Sequence, residues 1–312
     1  MGSDGRMITC VCMNPCLDTS ASLPSFSFTA ANRIHVKRTD YGGKGVNTAV
    51  VLSHLGARAA LVYLSPTEDA AGLKAFLEAQ GVDPIAVPCP GRLRTNLKIH
   101  IEDMAQTLEI NGDITVPADC LESAKTAVQG LPGDWLLLNG SLPSGADACF
   151  YRDLIRLAKG RKVALDCDGE PLKKALSASP YLIKPNLEEF KALTGVLPKD
   201  VREAARISHE LIGEYRLHLI CLSLGADGCV LTAQDESWFS PALPVPVRGE
   251  HGAGDSMLAA LCHRLSKGDA LHDALRYATA CACASIQKEG TELATREETE
   301  RLFPDAKAEK IL

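Results

Sequence analysis

A turn of small residues that ends in a carboxylate is the strongest candidate for chemistry. It consists of Gly252, Ala253, Gly254 and Asp255, and it lies between the extended, Pro-rich stretch Pro241 to Val247 and a segment with helical spacing. Small residues leave backbone N–H groups uncovered and a helix N-terminus adds partial positive charge, so the turn can bind a phosphoryl group. Asp255 could then take the proton from an attacking hydroxyl while the amides stabilise charge on the phosphate. The alternative is an acidic residue that only interacts with the helix dipole.

A second glycine turn also leads into a helical segment. Gly42, Gly43 and Gly45 permit close approach of a substrate, Lys44 supplies a positive charge, and Asn47 offers both a donor and an acceptor. The spacing of a Walker phosphate-binding loop is absent from the sequence, which argues against a P-loop kinase. A flexible turn with a solvated lysine is the alternative.

Two cations and an amide share one face of a predicted strand. Arg94, Asn96 and Lys98 are spaced by two residues, so in a strand they point to the same side and could grip a phosphate. A solvated edge strand protected by charge is the alternative.

Two further segments follow predicted strands. After Lys184, the residues Asn186 and Glu189 would share a helix face and offer oxygen ligands suited to hydrated Mg²⁺, and a simple helix cap is the alternative. The turn that contains Ser223, Gly225 and Gly228 would let a nucleotide lie against bare backbone, and an ordinary hairpin turn is the alternative.

Elements that could position these residues alternate along the chain. Apolar runs predict strands over Ile8 to Cys12, Ala59 to Leu64, Trp135 to Leu138, Val163 to Asp166, Tyr181 to Ile183 and Leu219 to Leu224. Helical spacing covers Gly45 to Leu55, Glu68 to Gln80, Ala118 to Val128, Phe150 to Lys159, Val201 to Tyr215, Ala253 to Leu265 and Ala270 to Gln287. This order predicts an α/β fold with a doubly wound, mostly parallel sheet.

Two regions depart from the strand and helix alternation, Leu23 to Lys37 and Thr95 to Ile110. In the second region, residues Asn96 to Glu102 alternate between polar and apolar as in a half-exposed antiparallel strand. We expect the two regions to form a small antiparallel lid, contributed by insertions at about 14–40 and 89–112. Residues 7–312, with the lid included, are expected to form one domain, and residues 1–6 are expected to be a tag or a disordered start.

Composition and charge limit the functional classes. The chain has 312 residues, 46% of them hydrophobic, and a net charge of −6 without long runs of one sign, which argues against a nucleic-acid surface. Twelve cysteines without a C-x-x-C pair indicate reduced core thiols rather than a metal site. Neither a signal peptide nor a membrane span is apparent, so a cytoplasmic location without membrane partners is expected.

The order of these motifs resembles the PfkB, or ribokinase-like, carbohydrate kinases from about residue 7 to residue 300. Beside the turns above, Asn14-Pro15-Cys16-Leu17-Asp18 is similar to the family's opening motif and Gly140-Ser141-Leu142-Pro143 to its Gly-Ser-Leu-Pro turn. The Arg94 to Lys98 stretch is similar to the branch that phosphorylates hexose phosphates, the 1-phosphofructokinases and tagatose-6-phosphate kinases.

The resemblance implies a ribokinase-like fold, ATP and Mg²⁺, and a role for each motif. Asp255 would be the base, with Gly252, Ala253 and Gly254 as the anion hole. Four further roles are implied: sugar binding by Asp18, Gly42, Gly43, Asn47 and Ser141; phosphate binding by Lys44, Arg94 and Lys98; metal binding by Asn186 and Glu189; and the nucleotide pocket of Lys184, Ser223, Gly225 and Gly228.

Three residues before the anion-binding turn, Gly249, Glu250 and His251, depart from the family pattern beside its monovalent-cation site. Glu109 stands near the position of an arginine in some kinases of fructose 6-phosphate. The resemblance therefore implies phosphorylation of fructose 1-phosphate. The alternatives are tagatose-6-phosphate kinase, a kinase of an unphosphorylated sugar or nucleoside, and a binding protein without turnover. Lid sheets of this kind can pair between subunits, so a homodimer is also possible.

Overall fold

A computed structural model describes residues 7–249, 252–288 and 292–312. Its strands are β1 (Ile8–Cys12), β2 (Cys16–Leu23), β3 (His35–Gly42), β4 (Ala59–Pro66), β5 (Asp83–Cys89), β6 (Arg94–Ile101), β7 (Gln106–Asn111), β8 (Trp135–Asn139), β9 (Lys162–Asp166), β10 (Leu182–Ile183), β11 (Leu219–Ser223), β12 (Cys229–Thr232), β13 (Ser237–Ser240) and β14 (Glu309–Lys310). Its helices are α1 (Lys44–His54), α2 (Ala70–Ala79), α3 (Ala118–Gln129), α4 (Phe150–Leu157), α5 (Gly169–Leu176), α6 (Leu187–Thr194), α7 (Val201–Tyr215), α8 (Ala253–Ser266), α9 (Leu271–Ser285) and α10 (Arg296–Leu302).

The larger sheet has the order β14-β13-β12-β11-β10-β9-β8-β1-β4-β5. Neighbouring strands are parallel from β5 to β11 and antiparallel from β11 to β14. Strands β1, β4 and β8 are buried along their whole length because helices cover both faces, which explains their mainly apolar sequences. The doubly wound, mostly parallel sheet predicted from the sequence is confirmed.

The larger sheet separates the core into two apolar layers, one on each of its faces. One layer packs residues of α1, α8 and α9 against one face of the sheet, and the other packs residues of α3, α4 and α7 against the opposite face. Helix α7 begins where the Asp200 side chain accepts hydrogen bonds from the backbone N–H groups of Arg202 (2.9 Å) and Glu203 (2.8 Å). Helices α8 and α9 correspond to the predicted helical segments Ala253 to Leu265 and Ala270 to Gln287, and α10 and β14 follow them.

The lid is a four-stranded sheet of order β3-β2-β6-β7. Strands β2 and β3 form one antiparallel hairpin and β6 and β7 another, and a parallel pairing of β2 with β6 joins them. Ala21, Leu23 and Ile99 form a small core of its own. The predicted lid segments therefore form two hairpins joined side by side, and residues 24–34 lie in the connection between β2 and β3.

All twelve cysteines lie within the described residues and none forms a disulfide. None of the helices in the described part of the chain is long and apolar enough to cross a membrane.

Candidate active site

A polar cavity of about 410 Å³ lies between the lid and the carboxyl ends of the parallel strands. The lid contributes residues of β2, β6 and β7, the large sheet contributes the ends of β9 and β11, and the first turns of α1 and α8 complete the walls. Its lining includes Asp18, Gly43, Lys44, Asn47, Arg94, Asn96, Lys98, Lys184, Asn186, Ser223, Gly252, Gly254 and Asp255. Residues that are far apart in the sequence thus meet at one site.

Asp255 lies in the first turn of α8 and is 7% exposed. The turn before it depends on glycine, because Gly252 adopts a φ of 73° that favours a residue without a side chain. The Asn47 side-chain amide donates a hydrogen bond of 2.8 Å to the Asp255 carboxylate. Burial, reinforced by the charge of Asp166, raises the pKa of Asp255 to about 6, although Asn47, Lys44 and Lys184 act to lower it. The carboxylate is therefore ionised at neutral pH and retains proton affinity.

Asp166, at the end of β9, joins two lysines of the site. Its carboxylate accepts a hydrogen bond of 2.8 Å from Lys44 Nζ and lies 3.0 Å from Lys184 Nζ. Burial acts to raise the pKa of Asp166, but the two ammonium groups outweigh it and hold the pKa at about 2. Asp166 was missed by sequence reasoning, although a carboxylate at the carboxyl end of a buried parallel strand was an available signal.

Lys184 is positioned beside the start of α8. A Cβ added at Gly254 would lie 3.1 Å from Lys184 Nζ, so this glycine lets the ammonium group approach the helix N-terminus. Burial acts to lower the pKa of Lys184, but the charge of Asp166 outweighs it and raises the pKa. A fixed positive charge therefore lies next to the uncovered amides of the turn, which strengthens the turn as an anion site.

Lys44, which the resemblance implied as a phosphate ligand, is already paired. Besides the bond to Asp166, its amine lies 3.8 Å from a carboxylate oxygen of Glu189. Burial acts to lower the pKa of Lys44, and the charges of Asp166 and Glu189 outweigh it and raise the pKa. Lys44 thus stays charged at the boundary of the polar cavity.

The lid strands hold a short hydrogen-bond chain. Arg94 Nη1 donates to Asn96 Oδ1 at 2.7 Å, and Asn96 Nδ2 donates to Asp18 Oδ1 at 2.8 Å. Arg94 also donates to the backbone carbonyls of Asn14 (3.1 Å) and Gly112 (3.2 Å), which fixes its guanidinium. A Cβ at residue 42 would lie only 2.1 Å from Asp18 Oδ2, so Gly42 is what allows Asp18 its position. Asn96 therefore orients Asp18. The sequence had indicated Asn96 only through the strand face that it shares with Arg94 and Lys98.

Lys98 of β6 lines the polar cavity from the lid side. Burial lowers the pKa of Lys98, while the carboxylates of Asp18 and Glu109 act to raise it. Glu109 is paired with Lys98 across β6 and β7 and lines the same cavity. The desolvated ammonium group of Lys98 therefore faces the site with a carboxylate as its cross-strand neighbour.

Asn186 and Glu189 form the helix cap that was the alternative to metal binding. Asn186 Oδ1 accepts from the Glu189 backbone N–H at 2.8 Å, and Glu189 Oε2 accepts from the Asn186 backbone N–H at 2.9 Å. The second carboxylate oxygen of Glu189 is the one that lies 3.8 Å from Lys44. Among the described residues, no group of three or more His, Cys, Asp or Glu side chains could hold a metal ion alone.

A second cavity of about 340 Å³ adjoins the first and is mainly apolar. Its lining includes Ser223, Gly225, Ala226, Gly228, Ala253, Gly254, Met257, Thr279, Ala282, Cys283 and Ile286. Ser223 and Gly254 line both cavities. The two spaces therefore meet at the start of α8, beside Asp255.

Ser141 lies at a smaller side cavity. Its hydroxyl accepts a hydrogen bond of 3.1 Å from the Asn14 side chain, and both residues line a space of about 140 Å³ together with Lys44 and Arg94. Ser141 is thus near the lid end of the site rather than in the main cavity. Glu250 and His251 lie outside the described residues, and Gly249 is the last residue before them.

Comparison with known proteins agrees with this geometry. The model of the pfkB family carbohydrate kinases matches residues 11–298. A 1-phosphofructokinase of Rhodobacter capsulatus is 37% identical over 300 residues, covering 92% of each chain, and one of Bacillus subtilis is 29% identical, covering 98% of this chain and 100% of the other. A structure of Escherichia coli phosphofructokinase-2 with substrates and products has a TM-score of 0.88 at 24% identity, covers 96% of this chain and 99% of that one, and shows a common fold.

The chain therefore belongs to the pfkB family of carbohydrate kinases. The fold and enzyme class predicted from the sequence are confirmed.

Proposed function

We propose that the protein transfers the γ-phosphoryl group of ATP to fructose 1-phosphate and so forms fructose 1,6-bisphosphate. One observation carries the proposal: a polar cavity lined by lysine and arginine side chains meets an apolar cavity at Gly254, beside the buried carboxylate of Asp255. The name of the R. capsulatus relative, 1-phosphofructokinase, supports the choice of sugar.

The acceptor occupies the polar cavity. Its existing phosphate is bound by Arg94 and Lys98 of the lid, because charge-assisted hydrogen bonds from these groups favour a phosphate over an uncharged hydroxyl. Asp18 and Asn47 bind the sugar hydroxyls. The cavity volume of about 410 Å³ falls in the usual range for sites of small ligands.

Asp255 acts as the general base. Its carboxylate takes the proton from the attacking hydroxyl, and a pKa of about 6 leaves it ionised at neutral pH without removing its basicity. The backbone amides of Ala253 and Gly254, together with the adjacent Lys184, stabilise the negative charge of the phosphoryl group as it is transferred.

The nucleotide occupies the apolar cavity. Gly225 and Gly228 leave its edge open, and Ala253, Met257 and Ala282 offer apolar contacts to a base. The phosphates would extend past Ser223 and Gly254 into the polar cavity, which places the γ-phosphoryl group near Asp255.

The side chains of Asn186 and Glu189, at the start of α6, form a donor set that fits hydrated Mg²⁺. Mg²⁺ commonly binds one or two carboxylates and keeps several waters and substrate phosphates as ligands, and Glu189 supplies a carboxylate with one oxygen outside the helix cap. Glu189 and Asn186 would hold the ion through water, and the ion would neutralise charge on the nucleotide phosphates.

We also make two expectations about the location and the oligomeric state of the protein. We expect a cytoplasmic enzyme, since twelve free cysteines suit a reducing compartment. We also expect a homodimer through the lid, where Val36 and Ile110 are exposed apolar residues at 59% and 48%. A tetrameric inhibited form is known for E. coli phosphofructokinase-2.

A substrate panel tests the proposal. The purified protein is incubated with ATP, Mg²⁺ and one of fructose 1-phosphate, fructose 6-phosphate, tagatose 6-phosphate, fructose or adenosine, and ADP formation is followed by a coupled assay. We expect fructose 1-phosphate to have the highest kcat/KM, with fructose 1,6-bisphosphate as the product. A higher kcat/KM for any other acceptor would contradict the assignment, and absence of turnover with all of them would favour the non-enzymatic alternative.

A further inference from the structure

A third cavity, which we call the rear groove, lies outside the proposed active site. It has a volume of about 450 Å³ and is lined by Lys159, Arg161, Lys162, Tyr181 and His218 together with small and apolar residues. Lys162 begins β9, and Tyr181 and His218 immediately precede β10 and β11. The groove therefore lies at the amino ends of the strands whose carboxyl ends carry Asp166, Lys184 and Ser223.

The rear groove carries positive charge. The described residues that line it include two lysines, an arginine and a histidine, and none of them is acidic. The charge of Asp134 acts on Arg161, but Asp134 does not line the groove. A local excess of positive charge in a chain with a net charge of −6 favours binding of an anion.

Several basic groups of the groove are held in place. Arg161 Nη2 donates to the Trp135 carbonyl at 3.0 Å and Nη1 to the Val128 carbonyl at 3.4 Å, while its inaccessible Nε has no hydrogen-bond partner among the described residues. Lys162 Nζ lies 4.7 Å from the centre of the Tyr181 ring, and that ring stacks on His218 at 4.7 Å. Because these groups are already ordered, an anion would bind with little further loss of side-chain entropy.

We propose that the rear groove is a second anion site, which binds the phosphate group of a small phosphorylated metabolite. The donor set of ammonium and guanidinium groups matches phosphate oxygens. The first and last residues of β9 are separated by about 13 Å along the strand, so a phosphate bound at Lys162 is out of reach of the active-site lysines at Asp166. The rear groove is thus independent of the site for the reacting phosphates.

Equilibrium dialysis with labelled inorganic pyrophosphate tests the rear groove. The wild type is compared with a groove variant, Lys159→Gln/Lys162→Gln, and with a matched control, Lys173→Gln/Lys174→Gln, which removes the same charge from exposed lysines of α5 outside the groove. We expect the groove variant to lose one bound pyrophosphate per chain, or to bind it at least about tenfold more weakly, while the control matches the wild type. The kcat of the groove variant at saturating ATP and sugar phosphate should equal that of the wild type, which verifies that the groove variant is folded.

Two results would overturn the proposal. In one, the groove variant binds the same number of pyrophosphate ions with the same affinity as the wild type. In the other, the groove and control variants lose affinity equally, which would show a general effect of net charge rather than a site.

Discussion

The side-chain amide of Asn47 donates a hydrogen bond of 2.8 Å to the carboxylate of Asp255, although 208 positions separate the two residues. Asn47 lies in the first turns of α1 and Asp255 in the first turn of α8. The bond therefore fixes the proposed base against the helix that follows Gly42 and Gly43, and it stabilises the ionised form of that base.

Removing this bond should shift the pH dependence of the reaction. Asn47 lowers the pKa of Asp255, so in Asn47→Ala the pKa should rise above about 6. Only the ionised carboxylate accepts a proton, and activity is therefore lost as the pH falls through the pKa. The acid limb of the kcat/KM profile should accordingly have its midpoint near pH 6 in the wild type and at a higher pH in the variant. An unchanged or lower midpoint would show that Asn47 does not set the basicity of the group that titrates.

Replacing the base itself should affect turnover and spare nucleotide binding. We expect Asp255→Asn to lower kcat by about two to four decades, the usual contribution of a positioned base, because the amide is similar in size but cannot take the proton. The dissociation constant for ATP, measured by calorimetry, should stay within about threefold of the wild type. Near-normal turnover of the purified variant would remove Asp255 from the mechanism.

Asp166 should be important for stability as well as for activity. Lys184 is only 6% exposed and has Asp166 as its ion-pair partner, so Asp166→Ala leaves a buried ammonium group without that partner. The expected loss in the free energy of unfolding is about 3–5 kcal/mol. Urea denaturation measures it, with Asp305→Asn, a change at an exposed carboxylate, as a control expected within about 0.5 kcal/mol of the wild type. A loss for Asp166→Ala no larger than the control's would mean that the pair contributes little.

Gly42 should be intolerant of any side chain. In Gly42→Ala the new Cβ would lie 2.1 Å from Asp18 Oδ2, so Asp18 must move and the KM for the sugar should rise about tenfold or more. The matched control is Gly213→Ala within α7, where a Cβ meets nothing within 4 Å. That variant should leave the kinetics unchanged and stabilise the protein by about 0.5–1 kcal/mol. Equal kinetics for both variants would show that the position of Asp18 is unimportant for sugar binding.

Local patterns predicted much of the fold. The helix Val201–Tyr215 has the predicted bounds because its apolar residues recur with helical spacing and Asp200 caps it. The short antiparallel strands Cys229–Thr232 and Ser237–Ser240 were not predicted, since four residues carry too little periodicity. Strand β12 pairs with β11 and β13 pairs with β12, so these short strands are stabilised by their neighbours in the sheet rather than by a pattern of their own.

The site was only partly predictable for the same reason. Asp255, Lys98 and Asn186 could be identified as candidate site residues because they lie in or beside unusual local sequences, namely glycine turns and clusters of charged residues. The pairing of Asp166 with Lys44 and Lys184 depends on which strand ends are neighbours in the sheet, and no local pattern contains that information. The meeting of the two cavities at Gly254 likewise follows from the packing of the whole domain.

The central claim is that the acceptor already carries a phosphate, and Lys98 offers the most direct test. Lys98 is preferable to Arg94, which also donates to backbone carbonyls of the lid. The measurement is the ratio of kcat/KM for fructose 1-phosphate to kcat/KM for fructose, in the wild type and in Lys98→Met. One lost charged hydrogen bond should raise the KM for the sugar phosphate about 10- to 100-fold and barely change the KM for ATP. We predict a strong preference for fructose 1-phosphate in the wild type that falls by that factor in the variant; a wild-type ratio near one, or a ratio that Lys98→Met leaves unchanged, would contradict the account.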